Sequence, residues 1–262
     1  MSHTVARAIA AVARLSTSVM KPYRRRITRA LVCQQMAQQV AVGHNGHTLL
    51  FQATTARSLH DVLTLGSGEP ETVAWLDGLE PGMLWDVGAN VGLYSLYAAC
   101  ARGCGVVAFE PSAASFAALA KNIELNGASD RISLYCMALG DRTHLDSLWM
   151  ACSDAGHSMH RVGEADGRAI RQSIPVFSAD DLVRLFDVPR PRYLKIDVDG
   201  PELAVLRGMT ETLAGVDSIL VEAETEQAEQ AIAAALLPLG FRRNEDLHAG
   251  RSRNIVFDRR AG

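Results

Sequence analysis

From Met83 onward, short β-prone apolar runs alternate with segments of helical pattern, and each helical segment ends at or near a glycine. The runs predict strands near 83–88, 105–110, 131–137, 192–198, 217–223 and 252–258. Between them, "GLYSLYAACARG", "SAASFAALAKNIELNG", "PELAVLRGMTETLAG" and "EQAEQAIAAALLPLG" predict helices. A strand that returns through a helix pairs in parallel with the next, so this rhythm confines the chain to an α/β fold with helices on both sheet faces. Only 145–177 breaks the rhythm. It is rich in Gly, Ser and His and predicts an insertion of short strands and loops, where substrate contacts often lie.

Upstream, "QVAVGHNGHTLLFQA" sets two β-prone runs around Asn45-Gly46, a pair that accepts the positive φ angles of a tight hairpin turn. His44 and His47 beside the turn are expected to be exposed polar residues rather than metal ligands. "ETVAWLDGL" predicts a helix, closed by "EPG". Further upstream, Val5, Ile9, Val12, Leu15 and Val19 recur at three- and four-residue intervals, away from Arg7 and Arg14, which predicts an amphipathic helix. No acidic residue precedes Asp61, whereas Lys21 and the triple Arg24, Arg25, Arg26 do, so the first segment is a basic arm. Such a helix either lies on an anionic membrane surface or packs on its own domain or on a second subunit. The chain is thus expected to comprise a basic amphipathic extension over 1–35, an accessory hairpin and linker over 36–75, and an α/β domain over 76–262.

Composition narrows the class. With 48% apolar and 21% charged residues, the chain has the balance of a soluble globular protein. Its five cysteines are an odd number in a chain too large to need disulfide staples, and no second Cys/His pair completes a zinc site with Cys100 and Cys104; reduced packing residues in a cytoplasmic protein are expected. No window has the run of about 18 apolar residues that a membrane span requires.

The chemistry concentrates in "LWDVGANVGLYSL", Leu84 to Leu96, where the first core strand ends in an acid, breaks into glycines and becomes helical. Open α/β sheets bind ligands at this end of their strands. Gly88 and Gly92 allow the sharp turn and close ligand approach. Asn90 is one of the few residues other than glycine that tolerate left-handed φ, at a position where backbone amides should face the ligand. A dinucleotide would require G-x-G-x-x-G with its pyrophosphate on the helix N-terminus; Asp86 would repel that group and favour a cationic ligand bearing an amino acid. The run "VVAFEP" ends at Glu110, 24 residues after Asp86, where a carboxylate can accept hydrogen bonds from both ribose hydroxyls of an adenosine. S-adenosylmethionine meets all these demands.

"LWDVGANVGLYSL", "VVAFEPSAASFAALAKNIELNG" and "YLKIDVDGPELAVLRG", together with "SADDL" at 178–182, resemble the FkbM family of S-adenosylmethionine-dependent methyltransferases over about Glu69 to Asn254. The resemblance implies a Rossmann-like class I core of seven strands, mostly parallel, with the last antiparallel. It implies that Asp86, Gly88, Ala89, Asn90 and Gly92 form the cofactor loop, that Glu110 with Pro111 holds the ribose, that Asn126, Ala138 and Leu139 lie on the adenine side, and that Lys195, Asp197 and Asp199 reach the transfer centre. Asp199 stands where the family usually has Glu, so its carboxylate reaches one methylene less. The implied reaction is O-methylation of a sugar, glycolipid, polysaccharide or polyketide-type hydroxyl.

A hydroxyl acceptor is a weak nucleophile and needs a base within hydrogen-bond reach. The candidates are Asp197, Asp199, Glu202, Glu222, His157 and His160. Asp199 could instead cap the next helix, and Lys195 could bind an acceptor anion or neutralise the acids. Asp197, Asp199 and Glu222 would suit magnesium, though their spacing does not demand a metal. Transfer to nitrogen is the alternative to transfer to oxygen, and two other classes compete: a scaffold that keeps the cofactor fold without catalysis, and a nucleic-acid methyltransferase. The second would carry an N-P-P-Y-like segment where this chain has "KIDVDGPEL", so no nucleic-acid partner is expected.

Overall fold

The computed structural model describes residues 2–53, 55–158, 160–247 and 253–259. Two compact units make up the chain, Met1–Gln39 and Val40–Gly262. The first holds two helices, α1 (Ser2–Ser16) and α2 (Pro22–Gln35), the latter begun by a proline at its first turn, where a missing N–H costs nothing. Arg29 ties them together: its Nε donates to Thr17 Oγ1 at 2.8 Å and its Nη2 to the Arg14 carbonyl at 2.9 Å. Val5, Ile9, Val12 and Leu15 are exposed on α1, as are Tyr23, Ile27 and Leu31 on α2. No helix among the described residues is long and apolar enough to cross a membrane.

The hairpin forms as expected, with β1 (Gln38–His44) and β2 (His47–Ala53) joined by Asn45 at φ +47° and Gly46 at φ +80°. Leu49 and Phe51 of β2 are buried in the main core, so the strand is a wall of the α/β layer rather than an appendage. After α3 (Ala56–Leu63) and α4 (Pro70–Gly78) the alternation begins with β3 (Met83–Val87), α5 (Leu93–Ala101), β4 (Gly105–Phe109), α6 (Ala113–Leu125) and β5 (Ile132–Tyr135). The insertion contributes β6 (Ala138–Leu139), β7 (His144–Met150), β8 (Arg161–Val162) and β9 (Ile170–Phe177). The chain then runs through α7 (Ala179–Phe186), β10 (Tyr193–Ile196), α8 (Glu202–Arg207), β11 (Ser218–Glu222), α9 (Glu226–Leu236), β12 (Phe241–Arg243) and β13 (Asn254–Arg259). Ser252, within the last expected strand, lies outside the described residues.

The main sheet has seven strands in the order β12-β13-β11-β10-β3-β4-β5. β11, β10, β3, β4 and β5 are parallel, and β13 runs antiparallel to both its neighbours. This is the Rossmann-like class I methyltransferase arrangement, with the strand order reversing between β3 and β10. The insertion is more regular than expected. β7 and β9 are long antiparallel partners in a separate four-stranded sheet, β6-β9-β7-β8, with its own small core of Leu148, Met150, Ile174 and Val176.

Alternation along the strands sorts the side chains. Trp85, Val87, Leu194, Ile196, Ile219 and Val221 face the layer containing α7, α8 and α9. Leu84, Val106, Ala108, Leu220 and Val256 face the layer containing α4, α5, α6 and β2. The polar residues at the strand ends inherit this parity. Asp86 follows Leu84 by two, and Asp197 follows Lys195 by two, so all three polar side chains lie on the α5 side of the sheet.

Candidate active site

A cleft of about 490 Å³ opens at the C-terminal ends of β3, β4, β10 and β11. The reversal of strand order leaves the crevice there, because the connections from β3 and β10 depart to opposite faces. One half of the cleft is bounded by the glycine loop, Glu110, Pro111 and the apolar Met137, Ala138 and Leu139. The other half is bounded by Glu69, Tyr94, Lys195, Asp197, Asp199 and Glu222, with His157 and His160 from the insertion.

The glycine loop is built for proximity between strands. Gly88 has φ +88°, and a Cβ there would sit 1.8 Å from the Asp197 carbonyl oxygen, so only glycine lets β3 and β10 close on each other. The amides of Gly88, Ala89, Asn90 and Gly92, expected to face a ligand, donate to protein acceptors. Those of Gly88 and Ala89 donate to the Phe109 carbonyl at 2.9 and 3.0 Å, and that of Gly92 donates to Ala89. The Asn90 amide, held in position by φ +51°, donates to Glu110 Oε2 at 2.8 Å.

Glu110 is thereby oriented from two sides, since its Oε1 accepts from the Ser112 amide at 2.7 Å. Each carboxylate oxygen retains a second lone pair for a ligand hydroxyl. Burial pushes its carboxyl up to about 7, although both amides pull in the other direction. The buried Asn90 Oδ1 has no hydrogen-bond partner among the described residues. A ribose diol on Glu110, an adenine against Met137, Ala138 and Leu139, and an amino-acid group near Asn90 match this donor and acceptor set, so the residues fit S-adenosylmethionine.

Asp86 and Asn126 differ from their expected places. Asp86 is buried beneath the loop rather than lining the cleft; its Oδ2 accepts from Ser95 Oγ at 2.5 Å. Burial raises its carboxyl despite Lys195 nearby. Asn126 lies away from the adenine half. With Asn122, one helical turn earlier, it clamps the backbone of β2: its Nδ2 donates to the Leu50 carbonyl at 2.7 Å, while Asn122 Oδ1 accepts from Gln52 N at 2.8 Å. Gly92 also serves structure, as the left-handed residue that starts α5 against Leu119.

At the opposite wall Lys195 is 1% exposed, and its Nζ lies 2.7 Å from Asp197 Oδ2 and 5.2 Å from the centre of the Tyr94 ring. Burial alone would depress this ammonium, but Asp197 and Asp86 hold it well above its usual value. Burial likewise disfavours the Asp197 anion, yet Lys195 holds its carboxyl below the usual range. Glu222 ends the neighbouring strand, where the pairing of Ile196 with Val221 sets it alongside Asp197. Burial and then the Asp197 charge push Glu222 up to about 8. Burial pushes the His160 imidazole below its usual value, which keeps it neutral.

Asp199 is not the N-cap of α8. The chain has already turned, with Asp199 at φ +57°, and Pro201 is the N-cap of α8, with no side-chain cap bond of its own. Glu202 instead reaches back to the Gly200 amide at 2.7 Å. Among the described residues no three His, Cys, Asp or Glu side chains converge as a metal site would require, so Asp197, Asp199 and Glu222 do not form the oxygen-only set that their residue types allow. Tyr94 and Glu69 join the site without having been expected there. Both line the cleft, and Glu69 Oε2 accepts from Asn254 Nδ2 at 3.1 Å. Tyr94 sits in an apolar helix and Glu69 in a Gly/Pro break, neither of which marks a site.

A family model described as the methyltransferase FkbM domain matches residues 86–243. The hexuronic acid methyltransferase AglP of Haloferax volcanii is 30% identical over 199 residues, covering 71% of this chain and 78% of that protein. Among solved structures, a ribosomal protein L11 methylase from Lactobacillus delbrueckii subsp. bulgaricus is similar with TM-score 0.48 and 15% identity over 74% of this chain and 80% of that one. Precorrin-6y C5,15-methyltransferase from Geobacter metallireducens is similar with TM-score 0.46 and 13% identity over 74% of this chain and 87% of that one.

Proposed function

This chain belongs to the FkbM methyltransferase family, and on that premise we propose that it transfers the methyl group of S-adenosylmethionine to an oxygen of a glycan. The observation that carries the reading is the Glu110 carboxylate, pinned by the Ser112 and Asn90 amides at one end of a cleft whose other end holds Asp197 and Glu222. S-adenosylmethionine supplies a methyl carbon on a sulfonium, so the protein's task is alignment and proton removal. Alignment of bound partners is worth about 7–11 kcal/mol of barrier. Glu110 fixes the nucleoside, and Asp197 and Glu222, with Lys195 sealed behind Asp197, meet the acceptor.

A sugar acceptor is favoured by the hexuronic acid named for the Haloferax relative and by the wall itself, since carboxylates accept hydrogen bonds from several hydroxyls at once. Arg57 and Arg253 also line the cleft and offer guanidinium groups to an acidic sugar. The test is calorimetric binding of S-adenosylmethionine followed by transfer of labelled methyl to fractionated glycans. Label appearing in a small-molecule nitrogen fraction instead would overturn the oxygen assignment, and no transfer with intact binding would favour a scaffold.

The exposed apolar stripe of α1, with Ile9 48% and Val12 62% exposed, lies within a segment carrying seven Arg and Lys residues before Gln39 and no acid. We propose that this unit docks peripherally on an anionic membrane surface, where apolar burial and basic charge act together. A lipid-linked glycan would then be met where it resides.

A further inference from the structure

Lys195 is buried beside several acids. Asp86 from β3, Asp197 after β10 and Glu222 from β11 stand on the same sheet face as Lys195. Glu69 and Glu71 approach from the start of α4, Tyr94 from α5, Asp199 and Glu202 from the turn into α8, and Glu224 follows β11. The ammonium lies 2.7 Å from Asp197 and 3.8 Å from Asp86, while the Arg161 guanidinium pairs with Glu224 at 3.9 Å. Asp197 and Glu222 are side by side on parallel strands, and the next position along the row is Asn254, paired with Glu222 in register. The Asn254 amide is turned toward Glu69 and Glu71. Two like charges this close in a partly dehydrated wall do not both ionise.

We propose that Asp197 and Glu222 hold one proton between them, positioned by Lys195, and that Asp197 is the base that takes the proton of the acceptor hydroxyl. This rests on the methyl-transfer reading of the cleft. Asp197 is suited because Lys195 keeps it anionic while its side chain remains 28% exposed toward the cleft, whereas Lys195 itself is sealed. As the acceptor oxygen bonds to the methyl carbon, its O–H bond breaks and the proton passes to Asp197; the C–S electron pair returns to sulfur. On product departure the proton passes from the pair to water. Glu222 is a positioning residue: its proton bridges to Asp197 and fixes which Asp197 oxygen faces the acceptor. Burial and the Asp197 charge hold that proton on Glu222 at neutral pH.

The experiment is an infrared titration of the full chain, with and without S-adenosylhomocysteine, on wild type, Glu222→Gln and Asp197→Asn. The expected result is a carboxylic-acid signal that disappears as pH rises through about 8, is missing in Glu222→Gln, and has its midpoint moved toward the ordinary carboxylate range in Asp197→Asn. Glu110 contributes a separate signal near 7 that both variants retain. In steady state, Asp197→Asn should lower kcat by about 10²–10⁴ with cofactor affinity within about threefold, while Glu222→Gln should remove the alkaline ionisation from the pH profile. A signal near 8 that persists in Glu222→Gln, or a midpoint unmoved in Asp197→Asn, overturns the shared proton. Undiminished kcat in Asp197→Asn overturns its role as base. A wild-type chain that binds no cofactor overturns the methyl-transfer reading itself, which the infrared result on the protein alone does not depend on.

Discussion

Lys195 stands next to Asp86 in the middle of the sheet, paired with it in register across β10 and β3, with Nζ 3.8 Å from Asp86 Oδ1. Both side chains are sealed from solvent, and the same ammonium reaches Asp197 at 2.7 Å. Removing the cation leaves buried carboxylates uncompensated, which costs more than the pair contributes when intact. Lys195→Met is expected to lose about 3–5 kcal/mol of unfolding free energy, read from the urea midpoint. Lys195→Met combined with Asp86→Asn should recover part of that loss. Equal stability of Lys195→Met and wild type would mean that the carboxylates around it are already protonated.

With the proposed ribose on Glu110, cofactor affinity is expected to depend on pH. The folded chain keeps a proton on this carboxyl up to about 7, against an ordinary value of 4.5. Its contribution to stability is therefore fully present below 4.5 and lost as pH rises through about 7. Ribose hydroxyls donate to the anion, so S-adenosylhomocysteine affinity should rise from pH 5.5 to pH 8, with proton release, by calorimetry at about 25 °C. Glu110→Gln should bind about 10- to 100-fold more weakly, since a charged hydrogen bond is worth roughly 1.5–3 kcal/mol, and with a flat pH dependence. A steep profile retained in the variant would place the titrating group elsewhere.

Gly88 is expected to be intolerant of any side chain. The Cβ of Gly88→Ala would overlap the Asp197 carbonyl, which is backbone and cannot swing away. A loss of roughly 2–4 kcal/mol is expected in thermal unfolding. Gly78→Ala is the control. It ends α4 with nothing within 4 Å of a new Cβ, and should change stability by less than about 1 kcal/mol.

The α1 stripe should show itself in vesicle co-sedimentation. Wild type should associate with vesicles rich in phosphatidylglycerol and release as salt rises, because the basic residues act over a Debye length of about 8–10 Å. Ile9→Asp with Val12→Asp should weaken binding through the apolar face, and Arg24→Glu with Arg26→Glu through the charge. Equal binding to neutral vesicles would remove the electrostatic part. Concentration-dependent dimerisation without vesicle binding would assign the stripe to a second copy of the chain.

Six core strands are legible in the sequence because each is a short apolar run bounded by glycine or polar residues, and the Asn45-Gly46 turn declares its hairpin through φ preference alone. β12 is not legible in that way. Three residues at a sheet edge carry no period, and pairing with β13 alone makes them a strand. The length of β7 and β9 is also hidden, since their alternation is broken by polar residues that only their mutual pairing accommodates. Local pattern therefore determined the α/β class and the strand-end acids Asp86, Glu110, Asp197 and Glu222. What those acids do was decided by tertiary structure. Parity along β3 turned Asp86 under α5 and beside Lys195, out of the cleft, while the register between β10 and β11 brought Asp197 against Glu222. Tyr94, Glu69 and Asn254 joined them from distant parts of the chain. Burial and neighbouring charge set a carboxyl's protonation, and both depend on which strands pack together, a property that no local stretch of sequence contains.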